Sequence, residues 1–378
     1  MSFIELPLHG GRAPKWLFNR MVRIGTKIVN IIVDEYGEEE LIKRIGNPLW
    51  FHALALVLGY DWDSSGVTTV TTAVLKKCIK ELNLDIVVAG GKGKAALNVP
   101  SELEEEGDKL NFTTNTIEAL KKLSRIAAKV DTTLIQAGYP LYHQAVFCTR
   151  RGEWCIVQQG MNVSIKLARR YHWTWAFLNT IEENPHSGLV GYRIHDNVLN
   201  LVSPASRNAR KTILDLVREN PRKVKRMLYE ACIPTRGTIL EWLGMRDQEK
   251  LRGVGERYRL DPRRVNWEIL EKTYQLQPRD YEELLMIRGL GPTTVRALAL
   301  IAEIIYGNEV DWRDPLRYSY AFGGKDGIPY PVDVKLMDEV DHLLSKAIPD
   351  KERRERLLKR IKGILRRGNR VYYLVKFY

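Results

Sequence analysis

The chain has 378 residues, 59 Lys and Arg against 46 Asp and Glu, a formal net charge of +13 and 44% hydrophobic residues. That length supplies two domains with proper cores, and the charge favours a polyanion partner, nucleic acid first. No apolar run approaches a membrane span and no signal-peptide core opens the chain, so a cytoplasmic protein with no membrane partner is expected. Many charges of both signs with few Gln point to a thermophile. Cys78, Cys148, Cys155 and Cys232 form no CxxC pair, which removes the zinc-ribbon and thioredoxin-like motifs. They read as reduced thiols, with Cys148 and Cys155 placed to face each other across a hairpin. No metal and no cofactor is expected.

A helix is predicted over Ala13 to Tyr36, with Trp16, Leu17, Met21, Ile24, Ile28, Ile31 and Ile32 on one face. Asn47-Pro48 opens a second helix to Leu58, and Thr69 to Leu84 form a third. Asp85 to Ala89 read as a strand leading into Gly90-Gly91-Lys92-Gly93-Lys94, a glycine loop that lacks the Walker A spacing. Ser101 to Lys109 read as an acidic surface segment and Thr114 to Lys129 as a helix. Tyr142–Thr149 and Glu153–Gln159 form a hairpin around Arg150-Arg151-Gly152. A helix is expected from Ser164 to Leu178, and a last strand pair, Gly188–His195 and Val198–Val202, turns at Asp196-Asn197.

After Ser203-Pro204 the pattern is helical throughout, punctuated by prolines. The predicted helices are 206–219, 221–231, 237–243, 263–275, 280–286, 292–306, 333–347 and 350–367. The expected fold class is therefore α+β: a mixed α/β domain over 1–204, then an all-helical helix-hairpin-helix domain over 205–378. Two basic runs flank the second part. One holds Arg207, Arg210, Lys211, Arg218, Arg222, Lys223, Lys225 and Arg226; the other is KERRERLLKRIKGILRRGNR, before the C-terminal VYYLVKFY.

The stretch LLMIRGLGPTTVRALALIAEIIYG, Leu284 to Gly307, reads as helix, glycine turn, helix. Pro292 suits the first turn of the second helix. Val295, Leu298, Ala299, Ala302 and Ile305 recur at helical spacing. Gly289 and Gly291 permit a tight turn and a close backbone approach. A helix start with open N–H groups attracts phosphate. The DNA-binding set is Arg288, Gly289, Leu290, Gly291, Thr293, Thr294 and Arg296, with Arg317, Gly323 and Gly324 from the loop that follows.

This hairpin, its helix and the downstream Pro331-Val332-Asp333 resemble the helix-hairpin-helix DNA glycosylase superfamily. The resemblance implies that Asp333 is catalytic. Thr293 stands where the bifunctional lyases of that family carry lysine, which implies a monofunctional glycosylase. Asn308 to Tyr330 form an insertion that lengthens the separation between hairpin and aspartate. It supplies Tyr318, Tyr320, Phe322 and, at its end, Tyr330 as candidate stacking groups for a flipped base. Lys325 and Lys335 are the substitute amines. The whole chain also resembles a largely archaeal domain-of-unknown-function family, number 763, through LPLHGGRAPKWLFNRM, QQGMN and RYSYAFGGKDGIPYPVD.

N-glycosidic cleavage develops positive charge on the sugar, and a carboxylate near C1′ stabilises it. Asp333 fits that role and equally fits a helix N-cap. The expected function is thus DNA repair by base excision on duplex DNA carrying a damaged base. Two other readings stay open. A metal-dependent nuclease would use Asp131, Glu153 and Gln158 beside the hairpin strands, with His143, His172, His186 or His195 as ligands or bases. A DNA-binding repair factor would have no catalytic site.

Overall fold

The computed structural model describes residues 13–59, 66–232, 257–316, 318–319, 338 and 341–342. It opens with α1 (Lys15–Ile45), which breaks at Gly37, where φ is +83°. The arm before the break is the helix read from the apolar face of Trp16 to Ile32. Next come α2 (Pro48–Val57), capped by Asn47, and α3 (Gly66–Glu81). After β1 (Ile86–Lys92) stand the short α4 (Lys94–Leu97), α5 (Val99–Lys109) and α6 (Thr114–Lys129). The acidic segment 101–109 is therefore helical; α5 buries Val99, Leu103 and Gly107, turns Glu104, Glu105 and Asp108 outward, and aims Glu102 at Lys76 and the N–H of Gly90. A π-turn (Val130–Leu134) and β2 (Ile135–Gln136) lead to β3 (Leu141–Thr149), β4 (Trp154–Asn162), β5 (Leu167–Thr174), β6 (Gly188–Gly191) and β7 (Leu199–Asn200).

The six-stranded sheet runs β1-β3-β4-β5-β6-β8, where β8 is Tyr318–Ser319; all its pairings are antiparallel except β6 with β8. A separate two-stranded ribbon joins β2 to β7. Both faces of the sheet are covered. Ile86, Val88, Ala145, Phe147, Cys155 and Val157 meet α1, α2 and α3. Val87, Ala89, Val146, Ile156, Tyr171 and Trp173 meet α5, α6 and the later helices.

Several expectations are corrected. Ser164 to Leu178 is not a helix: a turn leads into β5, whose eight residues are all buried. The side chain of Asn162 accepts the N–H groups of Ser164 and Ile165 at 3.2 and 3.4 Å, which imitates a helix cap in sequence. Burial on both faces erased the polar alternation that marks a strand. Gly188–His195 and Val198–Val202 do not pair with each other: β6 joins β5, and β7 joins β2. The part after residue 204 is not purely helical, because β8 extends the sheet and Asp311 bridges to Asn200. Cys148 and Cys155 sit on opposite faces of the sheet and do not face each other.

The later helices are α7 (Arg207–Arg218), α8 (Pro221–Cys232), α9 (Trp267–Leu276), α10 (Tyr281–Met286) and α11 (Pro292–Ile304). The residue spacing predicts one apolar stripe for α11. In fact Val295, Ala297, Leu298, Ala299, Leu300, Ile301, Ala302 and Ile304 are all buried, so it is a central helix. Each large aliphatic side chain so buried contributes about 1.5–3 kcal/mol. One apolar cluster runs from Val87 to Trp312 and spans the position where the sequence reading divides the chain. The predicted helices 237–243, 333–347 and 350–367 lie wholly or largely outside the described residues.

Candidate nucleic-acid interface

The stretch from Tyr281 to Ile304 folds as helix, tight turn, helix. Asp280 caps α10 by accepting the N–H of Glu283 at 2.8 Å. Leu290 is buried and anchors the turn, and its N–H reaches the carbonyl of Ile287 at 3.3 Å. Gly289 has φ +97°, a conformation that L side chains rarely adopt. A Cβ there would stand 2.5 Å from Cδ1 of Ile269. Gly291 is the N-cap of α11 and has no side-chain cap. Arg288, Gly289 and Pro292 are exposed at the tip, Gly291 and Thr293 are half-buried, and Thr294 is buried. The tip thus presents a cation, two glycines and an uncapped helix start to solvent, the chemistry of a phosphate contact.

Arg296, placed among the DNA-contacting residues by its position, is occupied internally. Its Nε donates to Oε1 of Gln136 at 2.7 Å and its Nη1 to the carbonyl of Tyr258 at 2.9 Å. Gln136 also donates to the carbonyl of Pro292 at 2.9 Å, and Lys129 Nζ donates to the carbonyl of Leu290. The π-turn region therefore clasps the hairpin from the sheet side. Lys129 and Gln136 were missed in the sequence, where nothing in their local pattern marks a long-range contact.

Much of the first basic run is spent on the fold. Arg207 and Arg210 pair with Glu183, and Arg210 also donates to the carbonyls of Leu201 and Ser203 at 2.6 and 2.9 Å. Arg218 donates to the carbonyl of Pro278 at 2.7 Å. Lys223 and Arg226 pair along α8 with Glu219 and Glu230, and Lys225 lies over the Trp267 ring. Lys211 and Arg222 are exposed with no ion pair among the described residues.

Of the residues weighed for a nuclease only Asp131, Gln158 and His186 come together. Asp131 and Gln158 meet at 2.7 Å in the interior, joined by His186 at 2.5 Å and the Trp173 indole N–H at 3.1 Å. Burial raises the Asp131 carboxyl above its ordinary range, and His186 opposes that rise. Glu153 is elsewhere, bonded to Thr149 beside the β3–β4 turn. His143 meets the hydroxyl of Thr72 at 3.1 Å, His172 the carbonyl of Ile45 at 3.2 Å, and His195 the hydroxyl of Tyr139 at 2.6 Å. Among the described residues no group of three or more His, Cys, Asp and Glu side chains converges as a metal site.

A polar row crosses the middle of the sheet on the side of α2 and α3: Lys92, His143, Gln159 and Arg170 stand in register on β1, β3, β4 and β5. Thr68 bonds to Gln159, and Gln159 in turn to Tyr142. Burial, with Lys92 nearby, lowers the His143 imidazole to about 3. The sequence showed Gln158 and Gln159 but gave no sign that His143 and Arg170 would stand beside them, since strand register is not a local property.

Asp333, Lys335, Lys325, Arg317, Gly323, Gly324, Tyr320, Phe322 and Tyr330 lie outside the described residues. Of Tyr318 the backbone is described, and it pairs with Val190 at the sheet edge. The first described residues beyond Asp333 sit on α1: Asp338 meets Arg20 at 3.2 Å and Arg23 at 3.3 Å, and Asp341 meets Lys27 at 2.7 Å. No described helix is long and apolar enough to cross a membrane.

Comparison with known families gives one match, over residues 2–332, to a family described as a protein of unknown function (DUF763). Asp333 falls one residue past the matched span. No curated protein and no solved structure matches.

Proposed function

Since the chain belongs to the DUF763 family, whose description carries no activity, we propose a function from the geometry: it grips duplex DNA by the backbone through the α10–α11 hairpin. The observation that carries this reading is the tip itself, with Arg288 exposed, Gly289 at φ +97° and α11 starting without a side-chain cap. Backbone N–H groups and a guanidinium read phosphate without reading sequence. The net charge of +13 supplies the long-range attraction.

The reaction proposed for this grip is DNA repair by base excision. Asp333 is the carboxylate that stabilises the oxocarbenium-like sugar, and water is the nucleophile, since Thr293 offers no amine. Support for Asp333 comes from the resemblance of Pro331-Val332-Asp333 to the glycosylase pattern. Lys325 and Lys335 are the amines to examine if a covalent adduct forms.

The test incubates the full chain with duplexes bearing deaminated or oxidised bases, with and without EDTA. Base release without metal, leaving an abasic site, supports the glycosylase. Asp333→Asn is expected to slow release by roughly a hundredfold to a thousandfold, about 2.7–4 kcal/mol, while duplex affinity stays. Borohydride is expected to trap no adduct. Full release by Asp333→Asn refutes the assignment of that residue, and binding without release by the wild-type chain leaves a DNA-binding repair factor. Metal-dependent nicking would return the nuclease reading.

A further inference from the structure

We propose that α6 of the α/β half forms the second wall of the DNA site, with Arg125 and Lys129 contacting a backbone phosphate run beside the hairpin. This inference rests on the reading of the hairpin as a DNA grip, and deepens it by placing part of the interface on an element of the other half of the chain.

Two contacts fix α6 alongside α10. Lys122 Nζ pairs with Glu282 Oε2 at 2.8 Å near the start of α10, and Lys129 Nζ donates to the carbonyl of Leu290 in the turn after it. The contact positions advance together along both segments, so α6 and α10 run in the same direction. Lys122, Arg125 and Lys129 recur at i, i+3 and i+7 and share one side of α6. Arg125 stands between the two tethers. It is exposed and has no acidic partner among the described residues, unlike Lys122.

Lys129 supplies the independent physical argument. It is half-buried, and burial alone lowers its ammonium from the ordinary value, with no carboxylate acting on it. Its partner among the described residues is the neutral carbonyl of Leu290. A cation partly withdrawn from water without an anion is disfavoured, and an arriving phosphate would offset that cost. Arg288, exposed two residues before Leu290 and likewise without an acidic partner among the described residues, borders the same place. The opposite side of α6 is committed to the fold: Ile117, Leu120 and Ala127 are buried, and the carbonyl of Ser124 accepts Gln144 at 2.8 Å. The open side thus carries Arg288 at the hairpin, then Lys129 and Arg125 on α6, a row of cations complementary to one strand of duplex backbone that ends at Lys122, which Glu282 neutralises.

The experiment is a fluorescence-anisotropy titration of the full chain with an undamaged duplex of arbitrary sequence, over a series of salt concentrations. The variants are Arg125→Gln, Arg288→Gln, their double, and Lys80→Gln on α3, which covers the other face of the sheet. Each phosphate contact removed is expected to lower the slope of log K against log salt by about one. Arg125→Gln and Arg288→Gln should each do so, the double by about two, and Lys80→Gln should leave the slope unchanged. Arg125 is exposed, so its loss leaves folding intact; a circular-dichroism melt of each variant verifies this. If Arg288→Gln lowers the slope and Arg125→Gln does not, the α6 wall is refuted and the hairpin stands. An equal loss in Lys80→Gln also refutes it, because the effect is then one of net charge. A wild-type chain that binds no duplex overturns the hairpin reading itself.

Discussion

Gln136 and Arg296 meet at 2.7 Å, Nε of the arginine donating to Oε1 of the glutamine, and this contact ties the sheet half of the chain to the hairpin. The same glutamine donates to the carbonyl of Pro292 at 2.9 Å, so one side chain satisfies a donor and an acceptor of α11. Replacement by a hydrophobic side chain of similar length, Gln136→Met, removes both bonds and leaves their partners unmet. The expected loss is about 1–3 kcal/mol. A urea titration reads it as a lower midpoint at unchanged slope. An unchanged midpoint would show that the contact does not join the two parts.

The two glycines of the hairpin are expected to separate. Gly289 combines φ +97° with a Cβ position 2.5 Å from the end of Ile269, so Gly289→Ala is strained in backbone and in space. A loss above about 1 kcal/mol follows. Gly291 is extended, and its nearest neighbour to a Cβ is the carbonyl oxygen of Gly289 at 3.8 Å. Gly291→Ala should therefore melt near wild type. If it nevertheless weakens duplex binding, close backbone approach of phosphate is the cause. Equal melting of the two variants would remove this distinction.

These positions show what was legible in the sequence. Helices with strong caps and one apolar face, such as Thr114 to Lys129, were read to the residue. The hairpin was legible because Gly-Leu-Gly-Pro is local turn chemistry. Strand β5 was not, since burial on both faces removed its alternation and Asn162 imitated a cap. Arg296 stood at a position that suggested DNA, yet its guanidinium is used by Gln136 and Tyr258. Such a pairing depends on tertiary placement, which residue spacing does not encode.

Acid should destabilise the fold steeply through its buried imidazoles. Burial lowers His52 and His143 to about 3, aided by Arg170 and Lys92 respectively, and lowers His172 well below its ordinary value. These groups are neutral when folded and titrate near 6.5 when unfolded. Their contribution is therefore present above about pH 6.5 and is lost as pH falls from there towards 3. Near pH 5 each costs about 1.4 kcal/mol per pH unit. His143→Gln should flatten the pH dependence of the denaturation midpoint by about one proton. A profile as steep as wild type would show that His143 is not held neutral.

The Arg169–Asp314 pair is fully buried at 2.6 Å, and Asp314 also accepts the N–H of His195 at 2.9 Å. Asp314→Ala leaves the guanidinium without its counter-charge. The expected cost is about 3–5 kcal/mol. Arg169→Met with Asp314→Ala should recover part of it, because the uncompensated charge is then gone. Double and single variants of equal stability would show that charge is not the cause.

The division of apolar contacts between the two faces of the sheet sets an order of events during synthesis. The layer of α1, α2 and α3 draws its buried apolar side chains from Leu17 to Val157. It can close while the ribosome is still making the rest. The other layer needs residues from Val87 as far as Trp312, including the whole of α11. Until those emerge, Val146, Ile156 and Trp173 have only the part of their cover that α5 and α6 supply, and the nascent chain shows the rest of an apolar sheet face to whatever chaperone attends the exit tunnel.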